Sequence, residues 1–363
     1  MDSVRNLALG ILGPLERESV LLGLMVLSGL LSAALIIILM PLLQRYALAR
    51  PNARSSHRIP TPQGGGIAVL GATIIPVAIL AFTLAPDIKL NWGSGLGFRF
   101  VWVVLIAAIG LAVVGAVDDI RPLPAMHRLL LQILAVAAVV MATGNRILPN
   151  WIPEGIEFAL LVFGGVWFVN LVNFMDGLDW ITVSEMVPIT GFLACLGFIT
   201  DMPTVFVAAC LCGALLGFAP FNKPVARLFL GDVGSLPIGL LVGWMLLQLA
   251  GTGALAAAIL LPLYYLMDAT ITLLRRLARR EKVWEAHRSH FYQKATDNGF
   301  SVLQVNAHVF GLNLVLAGLA AMTLVWSSGA VQIAALSLGA VLVGLVLRRF
   351  SRPRVSVPLE VSR

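Results

Sequence analysis

Ser19–Gln44 reads SVLLGLMVLSGLLSAALIIILMPLLQ, 26 residues without a charge between Glu18 and Arg45. A helix needs about 20 apolar residues to cross a bilayer. In hydrocarbon only a helix or a closed barrel satisfies its own backbone. A cleavable signal has a shorter core of about 7–15 residues behind a basic flank, whereas Glu16 and Glu18 precede this one. We therefore expect a retained first span from about Val20 to Leu43.

The same reading extends along the chain. Apolar stretches predict spans at about Gly66–Pro86, Phe100–Val117, Arg128–Thr143, Phe158–Asn173, Ser184–Thr200 and Pro203–Ala219. Val233–Met267 is uncharged for 35 residues, too long for one crossing, and Gly251-Thr252-Gly253 divides it. Asn298–Leu347 is uncharged for 50, and Ser327-Ser328-Gly329 divides that. The expected fold class is an all-α polytopic membrane protein of about 11 transmembrane helices, with residues 1–363 as a single integral membrane domain. Composition agrees: 59% of the 363 residues are apolar and 12% charged, against about 45–50% and about 25% in soluble domains. Soluble cores could not hide that much hydrocarbon.

Lys and Arg set the orientation. With the N-terminus periplasmic, 20 of the 25 basic residues fall on the cytoplasmic side, leaving Arg5, Arg17, Lys89, Arg99 and Arg146 outside. The C-terminus is then cytoplasmic, and the cytoplasmic loops are about 44–65, 118–128, 170–183, 220–235 and 275–302. The net charge of +7 reads as this bias and not as nucleic-acid binding. Cys195, Cys210 and Cys212 form neither a disulfide frame nor a zinc site and read as small core residues.

Five carboxylates fall on that same side. Asp118 and Asp119 end the third span, Asp176 and Asp179 the fifth, and Asp232 precedes the eighth. An unpaired acid at the edge of hydrocarbon is costly, and converging acids repel one another. A divalent cation relieves both, and carboxylates with water and phosphates are the ligands Mg²⁺ prefers. Solvated loop charges that never meet are the alternative. Asn170, Asn173, Asp176 and Asp179 recur every third residue, which on a helix makes one stripe. In Leu230-Gly231-Asp232-Val233-Gly234-Ser235 glycines flank an acid where a helix begins, and its first amides predict an anion site.

The last cytoplasmic loop holds His287-Arg288-Ser289-His290, three donors for an anion within four residues; a plain surface loop is the even alternative. The first holds His57-Arg58-Ile59-Pro60-Thr61-Pro62-Gln63-Gly64-Gly65-Gly66. Its glycines read best as a turn with close helix packing, and Arg58 more weakly as a lipid-phosphate contact. Asp268, the acid well inside a span, reads as structural, paired, or supporting the site.

Taken together these motifs resemble the polyprenyl-phosphate N-acetylhexosamine-1-phosphate transferase superfamily, which includes phospho-MurNAc-pentapeptide translocase. The likeness runs from about Arg54 to Gln304 with the motifs in family order: the Pro-Thr-Pro-x-Gly-Gly-Gly loop, Asp118-Asp119 with Leu123-Pro124, the Asn-x-x-Asn-x-x-Asp-Gly-x-Asp string, Phe229–Ser235, and the His-Arg-x-His loop. The resemblance implies transfer of a sugar 1-phosphate from a cytoplasmic UDP-N-acetylhexosamine to polyprenyl (undecaprenyl) phosphate in the lipid bilayer of the cell inner membrane, with release of UMP. It implies Mg²⁺, or Mn²⁺, on Asp232 with Asn173. It implies that Asp118 and Asp119 deprotonate or orient the lipid phosphate or help hold the metal, with Asp119 as nucleophile or base. Asp176 would position the diphosphate, while Asn170, Asp179, His287, Arg288, His290, Arg128 and Arg58 would contact substrate. A homodimer is allowed.

The chain departs from the family pattern at Trp180, where glycine is usual, which puts the local turn in doubt; a Trp there could instead stack on a base. It departs again at Arg128, where lysine is frequent. The eleven spans and the His-Arg-x-His-x-Tyr-Gln form resemble the O-antigen-initiating branch. That form points to UDP-N-acetyl-6-deoxyhexosamines (FucNAc or QuiNAc), with UDP-GlcNAc as the rival. A secondary transporter is the non-enzyme alternative.

Overall fold

The computed structural model describes residues 14–49, 60–84, 99–144, 146–196, 204–282 and 287–354. It is an all-α membrane protein. Among the described residues eight helices are long and apolar enough to cross a bilayer: α1 (Pro14–Tyr46), α2 (Gly65–Leu84), α3 (Arg99–Ile120), α4 (Ala125–Thr143), α5 (Glu154–Met175), α8 (Asp232–Gly251), α12 (Val302–Val325) and α13 (Gly329–Phe350). Two apolar helices are shorter, α6 (Ile181–Cys195) and α7 (Thr204–Phe218). The remaining expected span is broken into α9 (Leu255–Leu260) and α10 (Leu263–Ala278), with Pro262 at the join. Between α10 and α12 lies the short α11 (Phe291–Asp297).

The centre is α7 and α8. Both are buried along nearly their whole length, because apolar residues occupy every face and other helices surround them. Small residues set the spacing, as expected where no hydrophobic drive distinguishes lipid from protein. A Cβ on Gly213 would lie 1.9 Å from the Met25 carbonyl, and one on Gly217 2.1 Å from that of Gly29, so α1 and α7 touch backbone to backbone. The outer helices turn apolar side chains outward, among them Ile38 and Phe163, which are 71% and 74% exposed. Such faces suit hydrocarbon rather than water. Cys210 and Cys212 are core residues as expected, but Cys195 is exposed near the end of α6 and is not.

One short sheet positions the site. β1 (Leu48–Ala49) pairs antiparallel with β2 (Thr61–Pro62). Immediately beyond β2, the chain is stitched to the glycine-flanked acid string: Phe229 N–H donates to Pro62 O (2.8 Å), Gly65 N–H to Phe229 O (2.9 Å) and Gly66 N–H to Leu230 O (2.9 Å). A Cβ on Gly66 would sit 2.2 Å from Gly234 Cα, so glycine at both positions lets α2 and α8 start side by side. Close packing thus explains these glycines, as the sequence predicted.

Candidate active site

Three helix ends meet at one end of the bundle. Asp118 and Asp119 occupy the last turn of α3, Asp176 caps α5, and Asp232 opens α8. Their convergence follows from helix packing: a Cβ on Gly115, one turn before Asp119, would lie 2.3 Å from the Asp232 carbonyl. A cavity of about 250 Å³ lies between them, lined by Asp119, Asn173, Asp176, Asp179 and Asp232 together with Gln63.

Each carboxylate is held differently. Asp119 accepts from the backbone N–H groups of Asp232 and Val233, both at 3.1 Å. This corrects one expectation. The first amides of α8 were predicted to wait for a phosphate, yet Asp119 already takes two of them, because an acid is favoured at a helix N-terminus. Gly231, at φ 77°, makes room for it: a Cβ there would lie 2.6 Å from Asp119 Oδ2. Asp118 accepts from Leu123 N–H at 2.6 Å and from Arg128 Nη1 at 2.5 Å. Arg128 also reaches Asp232 Oδ2 at 3.5 Å, so the guanidinium bridges two acids. Asn173 Nδ2 donates to Asp232 Oδ1 at 2.8 Å and to Ser235 Oγ at 2.9 Å.

Asp176 is the electrostatic anomaly. Burial pushes its carboxyl up to about 8, and the nearby charges of Asp232, Asp119 and Asp179 add to the shift, against the opposing hydrogen bond from the Thr182 hydroxyl. A carboxyl driven toward its neutral form among three other acids is a group that a cation would re-ionise.

The expected stripe of four polar groups is only half helical. Helix α5 ends at Met175, so Asp176 and Asp179 lie in the following turn and still reach the cavity. Asp179 Oδ2 accepts from Ala226 N–H at 3.0 Å. Asn170 does not line the cavity, because its amide donates to Gln132 on α4 (2.6 Å) and to Val166 O. Trp180 keeps the turn that glycine would make, at φ 65°. Its indole N–H donates to Ala219 O (2.6 Å) and its backbone N–H to Asn222 Oδ1 (2.8 Å), which fastens the ring to protein.

The His-Arg-x-His loop is arranged otherwise than as three free donors. His290 is buried, with Nδ1 3.1 Å from Asp268 Oδ1. Asp268 also accepts from the N–H groups of Phe291 (3.1 Å) and Tyr292 (3.2 Å), so it caps α11 from inside the protein. The His287 imidazole is pushed down to about 4, first by partial burial and then by the charges of His290 and Arg276, so it is neutral at pH 7. Its Nδ1 lies 2.8 Å from Ser289 Oγ. Arg288 binds Asp297 (3.0 Å) and Thr296, and its buried Nε has no partner among the described residues. Of these four residues, none is among those lining the cavity. The loop meets the site through α11: Tyr292 OH donates to Phe174 O (3.1 Å), and Gln293 lines the cavity. Arg58 lies outside the described residues.

Sequence reasoning passed over Gln63, Asn222, Gln293 and Thr182. Gln63 stood in plain view beside the glycines, and its amide donates to Asp119 O at 2.8 Å. Gln293 closes the His-Arg-x-His-x-Tyr-Gln form without having been given a role, whereas Asn222 and Thr182 carried no spacing signal. Among the described residues, no three His, Cys, Asp or Glu side chains make a ready metal cage. Mg²⁺ needs none, since it takes one or two carboxylates and fills its shell with water and substrate phosphates.

Comparison with known proteins places this geometry. The model of glycosyl transferase family 4 matches residues 101–250, from α3 to α8. The phospho-N-acetylmuramoyl-pentapeptide-transferase of Deinococcus radiodurans is 30% identical over 250 residues, covering 62% of this chain and 73% of that protein. The protein of that name from Clostridium kluyveri is 28% identical, with 66% and 77% covered. The decaprenyl-phosphate N-acetylglucosaminephosphotransferase of Mycolicibacterium smegmatis is 32% identical over 219 residues, 54% of this chain and 52% of that protein, so the chain spans about half the length of that relative. With these matches and the acids gathered at one cavity, the chain belongs to the polyprenyl-phosphate N-acetylhexosamine-1-phosphate transferase superfamily.

Proposed function

We propose that the protein transfers an N-acetylhexosamine 1-phosphate from a UDP-sugar to polyprenyl phosphate, undecaprenyl phosphate in a bacterial host, and releases UMP. An oxygen of the lipid phosphate bonds to the sugar-bearing phosphorus as the diphosphate P–O bond breaks. The observation that carries this reading is the meeting of Asp119, Asp176, Asp179 and Asp232 in one cavity where apolar helices end. A lipid acceptor and a water-borne donor can meet only at such an edge. The bias of Lys and Arg toward this end supports a cytoplasmic face of the inner membrane.

The donor set fits Mg²⁺, with Mn²⁺ as a substitute. Asp232 and Asp176, with the amide oxygen of Asn173, would hold it. When bound it would neutralise the diphosphate and the charge that develops on departing UMP. Asp119, held by the first amides of α8, would orient the lipid phosphate. Asp118 and Arg128 hold Asp232 in place. Asp179, which lines the cavity, would face the nucleotide.

The loop form supports a 6-deoxy sugar, FucNAc or QuiNAc, and hence the start of O-antigen or a related surface polysaccharide. The mycobacterial relative's name favours N-acetylglucosamine as the second reading. Purified protein given undecaprenyl phosphate, Mg²⁺ and a panel of UDP-sugars decides between them by UMP release and by the mass of the lipid product. The proposal requires UMP release to need a divalent cation; release that continues in chelator contradicts it.

A further inference from the structure

A second polar pocket lies at the same end of the bundle and shares no residue with the acidic cavity. It is an open basin of about 580 Å³ between the start of α12 and the end of α13. Arg348, Arg349, Arg352 and Arg354 line it together with Phe300 and Leu345. Among the described residues, none of the four arginines forms an ion pair with an acid. Four like charges in one concavity repel, and no acid among the described residues pairs with them.

Basic residues at a helix end commonly serve only to orient a span, and that role needs charge without geometry. Here the geometry is fixed. The Arg349 and Arg354 guanidiniums sit over the Phe300 ring, 5.9 and 5.0 Å from its centroid. Arg354 Nη1 donates to Gln304 Oε1 at 2.6 Å, and its backbone N–H donates to Asn298 O at 3.0 Å. Asn298 Nδ2 in turn donates to Phe350 O at 2.7 Å, tying the end of α13 to α11. All four arginines are exposed, and two guanidiniums, those of Arg349 and Arg354, are pre-ordered by the Phe300 ring and Gln304.

The wall below the charges is apolar. Leu345 is 55% exposed and lines the same basin, one turn inside α13, a span that keeps most of its surface outside the protein. A free phosphate or a nucleotide would gain nothing from that wall. A lipid would place its headgroup among the arginines and an acyl chain along Leu345. Basic pockets between spanning helices suit anionic headgroups, and arginine suits phosphate oxygens in particular. From this we infer that the basin between α12 and α13 is a binding site for the headgroup of an anionic phospholipid.

Native mass spectrometry of the full-length protein in detergent tests the site. The probes are phosphatidylglycerol, phosphatidylcholine with the same chains, and inorganic phosphate. Wild type should retain phosphatidylglycerol in preference to phosphatidylcholine. Arg348→Gln with Arg352→Gln should lower that preference roughly fivefold for each arginine removed, and Arg348→Lys with Arg352→Lys should keep most of it. Among the described residues neither side chain has a hydrogen bond or ion pair, and thermal unfolding of each variant verifies the fold. Equal retention of the two lipids by wild type, unchanged retention by the double Gln variant, or displacement of the lipid by millimolar inorganic phosphate would each overturn the inference.

Discussion

Asp232 and Asp268 are both acids in apolar helices near the same end of the bundle, and the protein treats them oppositely. Asp268 is fully buried, and its oxygens accept from His290, Phe291, Tyr292, Thr272 and Tyr264. Nothing is left for a ligand, so its work is internal: it caps α11 and fixes the ring of His290. Asp232 has Asn173 at 2.8 Å and a long contact to Arg128, keeps 27% of its side chain exposed, and faces the cavity. A satisfied acid holds the fold, and an under-satisfied acid facing a cavity awaits a ligand.

The largest effect that could break this contrast is on turnover. Asp232→Asn should lower UMP release about a thousandfold, the scale of losing a metal-held transition-state charge, with unfolding in detergent nearly unchanged. Asp268→Ala should do the reverse first. It strands two buried N–H groups and a histidine, and should cost about 3 kcal/mol of stability in a denaturant titration. Equal stability losses for the two variants would erase the distinction.

The next effect is on protons. With its carboxyl raised to about 8, Asp176 favours its protonated form in the folded state. Its contribution to stability is therefore full below the ordinary carboxylate value of 3.8 and is lost as pH rises through about 8. A cation must displace that proton, so cation binding at pH 7 should release close to one proton, and apparent affinity should climb from pH 6 to 8. Calorimetry in buffers of different ionisation enthalpy measures it; a pH-independent affinity without proton release would contradict it. His287, already neutral, should leave that profile unshifted when replaced by Gln.

The smallest effect concerns Trp180. Both Trp180→Gly and Trp180→Ala lose the indole hydrogen bond, but only Gly adopts φ 65° without strain. The Gly variant should be the more stable by about 1 kcal/mol.

The helices were legible because hydrocarbon forbids charge over some 20 residues, and runs such as Ser19–Gln44 leave no other reading. The cavity acids were legible because each sits where such a run ends. What stayed hidden depended on which partner a side chain finds. Asn170 follows the period of Asn173, yet it turns to Gln132, a choice made by α4 and not by local sequence. His290 looked like a phosphate donor until Asp268, 22 residues earlier, claimed it. Glu185 lies close to the start of its apolar run and drew no attention. It is fully buried, accepting from Asn313 Nδ2 (2.5 Å) and Tyr265 N–H (3.3 Å), and only tertiary packing reveals that.

The central claim is that acids from separate helix ends serve one divalent cation together with the nucleotide diphosphate. Mn²⁺ electron paramagnetic resonance on the purified protein with a UDP-sugar tests it most directly. Wild type should immobilise one Mn²⁺ per chain and Mg²⁺ should displace it, whereas Asp232→Asn should leave the ion free in solution. An Mn²⁺ signal identical in wild type and Asp232→Asn would contradict the account.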